Sequence, residues 1–304
     1  MSYKLLAAFR AILELMRPAN IVTAFADILA GFTIAGGTFL FLDGSVSVSY
    51  EGLPWLLLAT FGLYGGGVVF NDVFDAELDS IERPERPIPA GKVSLTTAAI
   101  IGSLLLIIGV LSAFQVNVAA GVIAIAIAIC AIYYDARAKH SVISGPLFMG
   151  VCRGGNLMLG IAILPVALTV WWPLALIPVA YIGAITLISQ GEVEGGNKIT
   201  GYLAFAIILL VLLTLLLLAI FPDYQFLPAV IFVSLLGFLL VPDFLKAAKN
   251  PEPNHIKIAV KRGVLSLIIL NSALAAGFGG IIAGLIVFLL LPLSVLLAKL
   301  FAVT

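Results

Sequence analysis

Runs of about 20 apolar residues recur along nearly the whole chain, and nothing else constrains its fold as strongly. A helix of that length crosses the ~30 Å hydrocarbon layer of a bilayer. In lipid every backbone N–H and C=O must be satisfied within its own element, so a string of such runs becomes a bundle of helices. Ten runs are readable, at about 21–42, 53–71, 95–114, 117–134, 142–163, 170–189, 200–221, 226–242, 260–278 and 281–301. The joint at 277–280 is either a turn between two spans or a kink in one long helix, so the count is nine to ten. With 62% hydrophobic and 11% charged residues in 304, the chain is more apolar than a soluble core requires. The expected fold is all-α: a polytopic transmembrane bundle in the lipid bilayer, forming a single domain over 1–304. Residues 281–301 are an extra C-terminal span. Residues 1–20 mix Lys4, Arg10 and Arg17 with apolar positions and lack a signal-peptide pattern. They are expected to form an amphipathic helix on the membrane surface.

The charges agree with this count. Of 16 Lys and Arg residues, Arg153 alone sits well inside a span. The others fall before span one, after the even-numbered spans, or at the end of span ten. The odd-numbered loops carry only Asp43, Glu51 and Asp223. By the positive-inside rule both termini and the basic loops face the cytoplasm, in the cell (inner) membrane. Formal net charge is zero, so no nucleic acid is expected as a partner. Cys130 and Cys152 both lie in apolar runs and read as packing residues rather than a disulfide or metal pair.

Span two ends in NDVFDAELD, Asn71 to Asp79. On a helix Asp72, Asp75 and Asp79 share one face, with Asn71 one turn before Asp75. Three carboxylates on one stripe repel each other, and a divalent cation relieves that repulsion. Magnesium takes hard oxygen ligands and completes its shell with phosphate oxygens and water. The next loop, SIERPERPIPAGKVS, is stiffened by three prolines and presents Arg83, Arg86 and Lys92 to the acidic face. Guanidinium groups bind phosphate oxygens in bidentate fashion. The pairing therefore predicts a magnesium–diphosphate site, against the plainer reading of a solvated acidic helix end beside topology-setting bases.

Other polar groups extend this face. Tyr134 and Lys139, closing span four, are within reach of the same site. Asp27 in span one and Arg153 with Asn156 in span five are buried polar groups, which are costly in lipid. They either pair with one another or contact substrate. Span six closes in SQGEVEGGNK, residues 189–198. An offset of 117 residues places Ser189, Glu192 and Gly196 where Asp72, Asp75 and Asp79 stand, which suggests a degenerate internal repeat. Glu192 keeps its carboxylate, and Glu194 adds one nearby.

Together these residues resemble the UbiA superfamily of membrane prenyltransferases. The likeness runs from Arg17-Pro18 through NDVFDAELD, RPERPIPAGKVS, the Tyr134/Lys139 patch and Cys-Arg-Gly-Gly-Asn156 to the Glu192 segment. It is closer to the chlorophyll-synthase and geranylgeranylglyceryl-phosphate-synthase branches than to the hydroxybenzoate branch. The weakened second motif and the tenth span resemble the divergent EboC-like branch. The resemblance implies a helical bundle around a central cavity with a cytoplasmic cap, where two aspartate-rich motifs bind Mg2+ and a polyprenyl diphosphate. Asp72, Asp75 and Lys139 would then be catalytic. Asn71, Arg83, Arg86, Tyr134, Arg153 and Asn156 would bind substrate. Asp72, Asp75, Asp79, Glu192 and Glu194 would be metal ligands. The expected activity is prenyl transfer to a lipophilic or aromatic acceptor. The alternative is a non-catalytic binder or carrier that handles or exports a lipophilic small molecule. A secondary transporter would need more mid-membrane ionisable groups than Asp27 and Arg153.

Overall fold

The computed structural model describes residues 3–37 and 50–301. The described residues form helices and contain no strand: α1 (Tyr3–Met16), α2 (Pro18–Ile34), α3 (Leu53–Phe74), α4 (Ala76–Glu82), α5 (Leu95–Phe114), α6 (Val118–Ala136), α7 (Ser144–Ile161), α8 (Pro165–Trp171), α9 (Leu176–Ser189), α10 (Lys198–Leu217), α11 (Phe226–Lys249), α12 (Pro253–Phe288) and α13 (Leu290–Leu300). Their starts follow local chemistry. Pro18, Pro165 and Pro253 open α2, α8 and α12, where a missing N–H costs nothing. The side chains of Ser94, Asn117 and Asn197 cap α5, α6 and α10 by accepting from Thr97, Ala120 and Ile199 N–H groups.

Among the described residues, seven helical stretches are long and apolar enough to cross a membrane. The shorter α2 is apolar too, and α7 falls outside the seven because Arg153, Asn156 and several glycines dilute it. The expected first span runs on to 42, but 38–49 lie outside the described residues. The segment expected as one amphipathic helix over 1–20 is divided. α1 stops at Met16, Arg17 takes a left-handed backbone, and Pro18 begins α2. Ala11, Leu15 and Met16 are buried against Val69, Val93 and Ala98, so α1 docks on the protein as well.

The joint at 277–280 is a reversal of the chain. Gly280 has φ 79° and ψ 178°, a region open essentially to glycine alone. A Cβ on Gly284 would lie 3.0 Å from the Ser272 carbonyl oxygen, so the chain runs back along α12. Ser294 Oγ then donates to the Ala19 carbonyl at 2.9 Å, which ties α13 to the opposite end of α2.

The core has two main parts. Leu56, Ala59 and Leu63 of α3 pack with Ala120, Ala124 and Ile127 of α6. The larger part joins α9, α10, α11 and α12 through Tyr181, Ile208, Leu236, Phe244 and Leu270. α2 and α7 contribute to both, so they form the seam between the halves. α3 and α5 approach closely: a Cβ on Gly109 would meet the Ala59 carbonyl oxygen at 2.9 Å. The loops after α3, α6, α9 and α11 gather at one end of the bundle. There Gly196 N–H bonds the Pro251 carbonyl at 2.8 Å, and Gln190 reaches Val142.

Candidate functional site

The acidic segment is helical but bent. α3 ends at Phe74, Asp75 takes φ −91° and ψ 2°, and α4 restarts at Ala76. The i→i−4 bonds continue through the bend, with Asp75 N–H to Asn71 at 3.0 Å and Asp79 N–H to Asp75 at 2.7 Å. The carboxylates therefore do not act as one stripe. Asp72 and Asp79 converge on Arg86, whose Nη1 lies 3.3 Å from Asp72 Oδ1 and 2.6 Å from Asp79 Oδ2. Asp75 points elsewhere, and Lys139 Nζ meets its Oδ1 at 2.6 Å. Among the described residues no three acidic, histidine or cysteine side chains converge as a ready metal centre. The mutual repulsion read from the sequence is relieved here by cations instead.

In the sequence Arg17 has no site role of its own: it counts there as a basic residue before span one and as the start of the family likeness. The structure puts it in the site, with Nη2 2.6 Å from Asp72 Oδ1. Its φ of 48° and ψ of 67° are rare for a non-glycine residue. Pro18 fixes the chain on its C-terminal side, and α1 holds the other. A strained residue whose side chain ends on a buried carboxylate is a signature of a built site. The signal in the sequence was the Arg-Pro pair at the head of the first apolar run.

Asp135 is the other residue that the sequence reading passed over. It sits one position after Tyr134, is buried, and accepts from Asn71 Nδ2 at 2.9 Å. Asn71 and Asp75 are one helical turn apart, whereas Asp135 stands at the end of α6 and Lys139 lies in the short turn that follows it. Two polar rungs thus join the ends of α3 and α6, one from Asn71 to Asp135 and one from Lys139 to Asp75.

Some of these groups line a cavity of about 420 Å³, while Asp72, Asp75, Asp79 and Lys139 stand behind them as their partners or neighbours and do not line it. Arg17, Asn71, Arg83, Arg86, Tyr134 and Asp135 form one side of its polar end, and Ser189 and Glu192 face them. Below lies an apolar stretch that includes Leu63, Val68, Ile127, Met149, Ile185 and Val264. Arg153, Asn156, Thr60 and Tyr64 also line it. The two segments related by the 117-residue offset therefore close on one cavity. Burial pushes the Glu192 carboxyl up from its ordinary value, and the Arg83 and Lys257 cations pull it back down. Glu194 is exposed and does not line the cavity, and Gly196 lines a separate small pocket. Of the second motif, the structure brings only Ser189 and Glu192 to the site.

Deeper in the bundle, Arg153 and Asn156 are tied to the protein itself. Asp27 is fully buried, and Arg153 Nη1 lies 3.3 Å from its Oδ2. Asn156 Nδ2 donates to Asp27 at 3.0 Å and Asn271 Nδ2 donates to it at 2.6 Å. Thr60 Oγ1 donates to Asn156 at 2.6 Å, and Arg153 Nη2 donates to Thr23 at 2.6 Å. The guanidinium also stands 5.1 Å from the Tyr64 ring centroid. Of the two roles read from the sequence, the structure displays the mutual pair, and both residues also border the cavity. Asn271 was invisible in the sequence, where one asparagine in an apolar run carries no signal.

The donor set suits magnesium: three aspartates and an asparagine oxygen are hard ligands. The site carries carboxylates and cations in ion pairs at one place. A magnesium–diphosphate carries the same two kinds of charge in one ligand, so it can take over both halves of those pairs.

Comparison with known proteins agrees with this arrangement. A digeranylgeranylglyceryl phosphate synthase of Methanosarcina mazei is 35% identical over 167 residues, covering 52% of this chain and 56% of that protein. The chain thus spans little more than half the length of that relative. A solved digeranylgeranylglyceryl phosphate synthase structure superposes with a TM-score of 0.66 at 22% identity, covering 89% of this chain and 98% of the other. A UbiA homologue from Archaeoglobus fulgidus bound to GPP and Mg2+ gives 0.56 at 14% identity, covering 87% and 99%. At these identities the two structures show a shared fold. Residues 29–261, most of the chain and both acidic segments, match the UbiA prenyltransferase family, and the protein belongs to that family.

Proposed function

We propose that this protein is a membrane prenyltransferase that binds a polyprenyl diphosphate with Mg2+ and passes the prenyl group to a lipid hydroxyl. One observation carries the reading. Arg17, Arg83 and Arg86 line the polar end of a cavity that continues along largely apolar walls, and Arg17, Arg86 and Lys139 are paired with Asp72, Asp79 and Asp75. The mouth suits a charged diphosphate, and the interior suits its hydrocarbon tail. Asn71, Asp72, Asp75 and Asp79 would hold magnesium, with Glu192 available for a second ion. Bound there, magnesium supplies neutralisation of the departing diphosphate.

The chain's own residues do the rest. Arg17, Arg83, Arg86 and Lys139 bind diphosphate oxygens and stabilise the charge that grows on them as the allylic C–O bond breaks. The apolar walls exclude water from the allylic cation, which would otherwise be hydrolysed. The acceptor oxygen attacks the allylic carbon, a new C–O bond forms, the hydroxyl proton passes to the diphosphate released by C–O cleavage, and the protonated diphosphate leaves. The names of the relatives favour a glycerophosphate-type acceptor over an aromatic one. The protein functions as a single domain of nine to ten spans, with both termini and the loops that cap the cavity in the cytoplasm.

The test is to incubate purified protein with magnesium and a panel of polyprenyl diphosphates, with and without geranylgeranylglyceryl phosphate. Acceptor-dependent release of diphosphate is expected. Tight magnesium-dependent binding without release, for every acceptor tried, would overturn catalysis and leave a carrier. The carrier reading draws on Ser189 and Gly196, which stand where carboxylates would complete the second motif.

A further inference from the structure

The structure assigns a positioning role to Asp135: it turns the Asn71 amide so that its oxygen faces the magnesium–diphosphate position. This inference rests on the reading of the cavity mouth as such a site. The Asn71 NH2 donates to Asp135 Oδ1 at 2.9 Å, a carboxyl oxygen being an acceptor. Its oxygen is then turned away from Asp135. Asn71 borders the cavity and is one turn before Asp75. Without a fixed partner an asparagine amide is free to offer either end, and the NH2 end would repel a cation. Asp135 is 3% exposed and held within α6, so it is a rigid reference for that choice.

The groups around Asp135 are accounted for. Lys139, in the short turn after α6, is engaged by Asp75 at 2.6 Å. Arg17 and Arg86 are engaged by Asp72 and Asp79. Among the described residues no basic group lies within ion-pair distance of Asp135, and its side chain is engaged by Asn71. Orientation of a ligand through its second polar atom is a general device of metal sites, and loss of such a partner costs roughly 10–100-fold in affinity.

Asp135→Asn and Asp135→Ala separate this role from its rivals. Asparagine at 135 still offers an oxygen to the Asn71 NH2, and alanine offers nothing. Mn2+ binding is followed by electron paramagnetic resonance on the detergent-solubilised full chain, with and without geranyl diphosphate, beside thermal melts. Asp135→Ala is expected to weaken Mn2+ binding about tenfold or more, and Asp135→Asn to stay within about threefold of wild type, with both melting near wild type. Equal large losses in the two variants would make Asp135 a direct ligand and overturn the proposal. So would unchanged Mn2+ binding in both, or loss of folding in the asparagine variant. Wild-type protein that binds Mn2+ in the expected variant order yet never releases diphosphate would keep this inference and overturn the prenyltransferase reading. Wild-type protein that binds neither ligand would overturn both.

Discussion

Lys139 Nζ and Asp75 Oδ1 stand 2.6 Å apart, and both side chains are largely buried, at 10% and 18% exposure. This ion pair joins α3 to the turn after α6, on the opposite side of the acidic segment from Arg86. In the proposed function it joins a cation for the diphosphate to a carboxylate for the metal.

Asp75→Asn is therefore expected to weaken magnesium-dependent geranyl diphosphate binding at least tenfold, about 1.4 kcal/mol. Folding stays largely intact, because an amide oxygen at this position still accepts a hydrogen bond from Lys139. Equilibrium binding with a parallel melt measures both effects. Undiminished affinity in a folded variant removes Asp75 from the site.

Arg153→Met should be much more damaging than its small contact list suggests. It leaves the fully buried Asp27 without its countercharge, and breaking a buried pair costs about 3–5 kcal/mol. Asp27→Asn combined with Arg153→Met is expected to recover much of that loss, since neither charge is then stranded. Thermal unfolding of the two single variants and the double variant in detergent tests the coupling. Additive effects would show that the pair is not coupled.

The second motif invites a gain rather than a loss. Ser189 borders the cavity, whereas Gly196 faces a different pocket, where a Cβ would lie 3.0 Å from Ile256 Cδ1. Ser189→Asp, beside Glu192, is thus expected to tighten a second Mn2+ ion several-fold, and Gly196→Asp is not. A Mn2+ titration that gives the reverse order would break the link between the two acidic segments.

Topology is checked by reporter fusions. With the reversal at Gly280, the one-sided distribution of basic residues predicts an external signal at Asp223 and internal signals at Pro251 and the C-terminus. An external signal at the C-terminus would overturn the reading of residues 281–301 as a returning span.

Much of this was legible in the sequence, because the bilayer imposes its rules residue by residue. Span lengths, the alternation of basic loops and the acidic motif each follow from local composition, and the helices lie close to the runs read from it. Arg17 and Asp135 were missed for a common reason. Each joins the site through a contact far along the chain, at separations of 55 and 64 residues. A charge next to a span reads equally well as a topology signal. The bend at Asp75 was hidden as well, since spacing alone predicts one continuous face. Glu194 was included on sequence proximity, and a turn of the loop carries it to solvent. The residues that settle Gly280 as a reversal, Ser272 and Ser294, look like ordinary small residues until the chain doubles back on itself.

The Asp27–Arg153 pair also sets an order of events during synthesis. Asp27 leaves the ribosome well before Arg153, and Asn271 follows later still. At about 5–20 residues per second, the wait for Arg153 lasts on the order of ten seconds. During that time α2 carries a carboxylate that a lipid environment penalises by roughly 2.5–3.5 kcal/mol. The first apolar helix is therefore a poor candidate for early release into the bilayer. The arrival of α7 removes that penalty by bringing Arg153 to Asp27, so the two helices gain by entering the bilayer together.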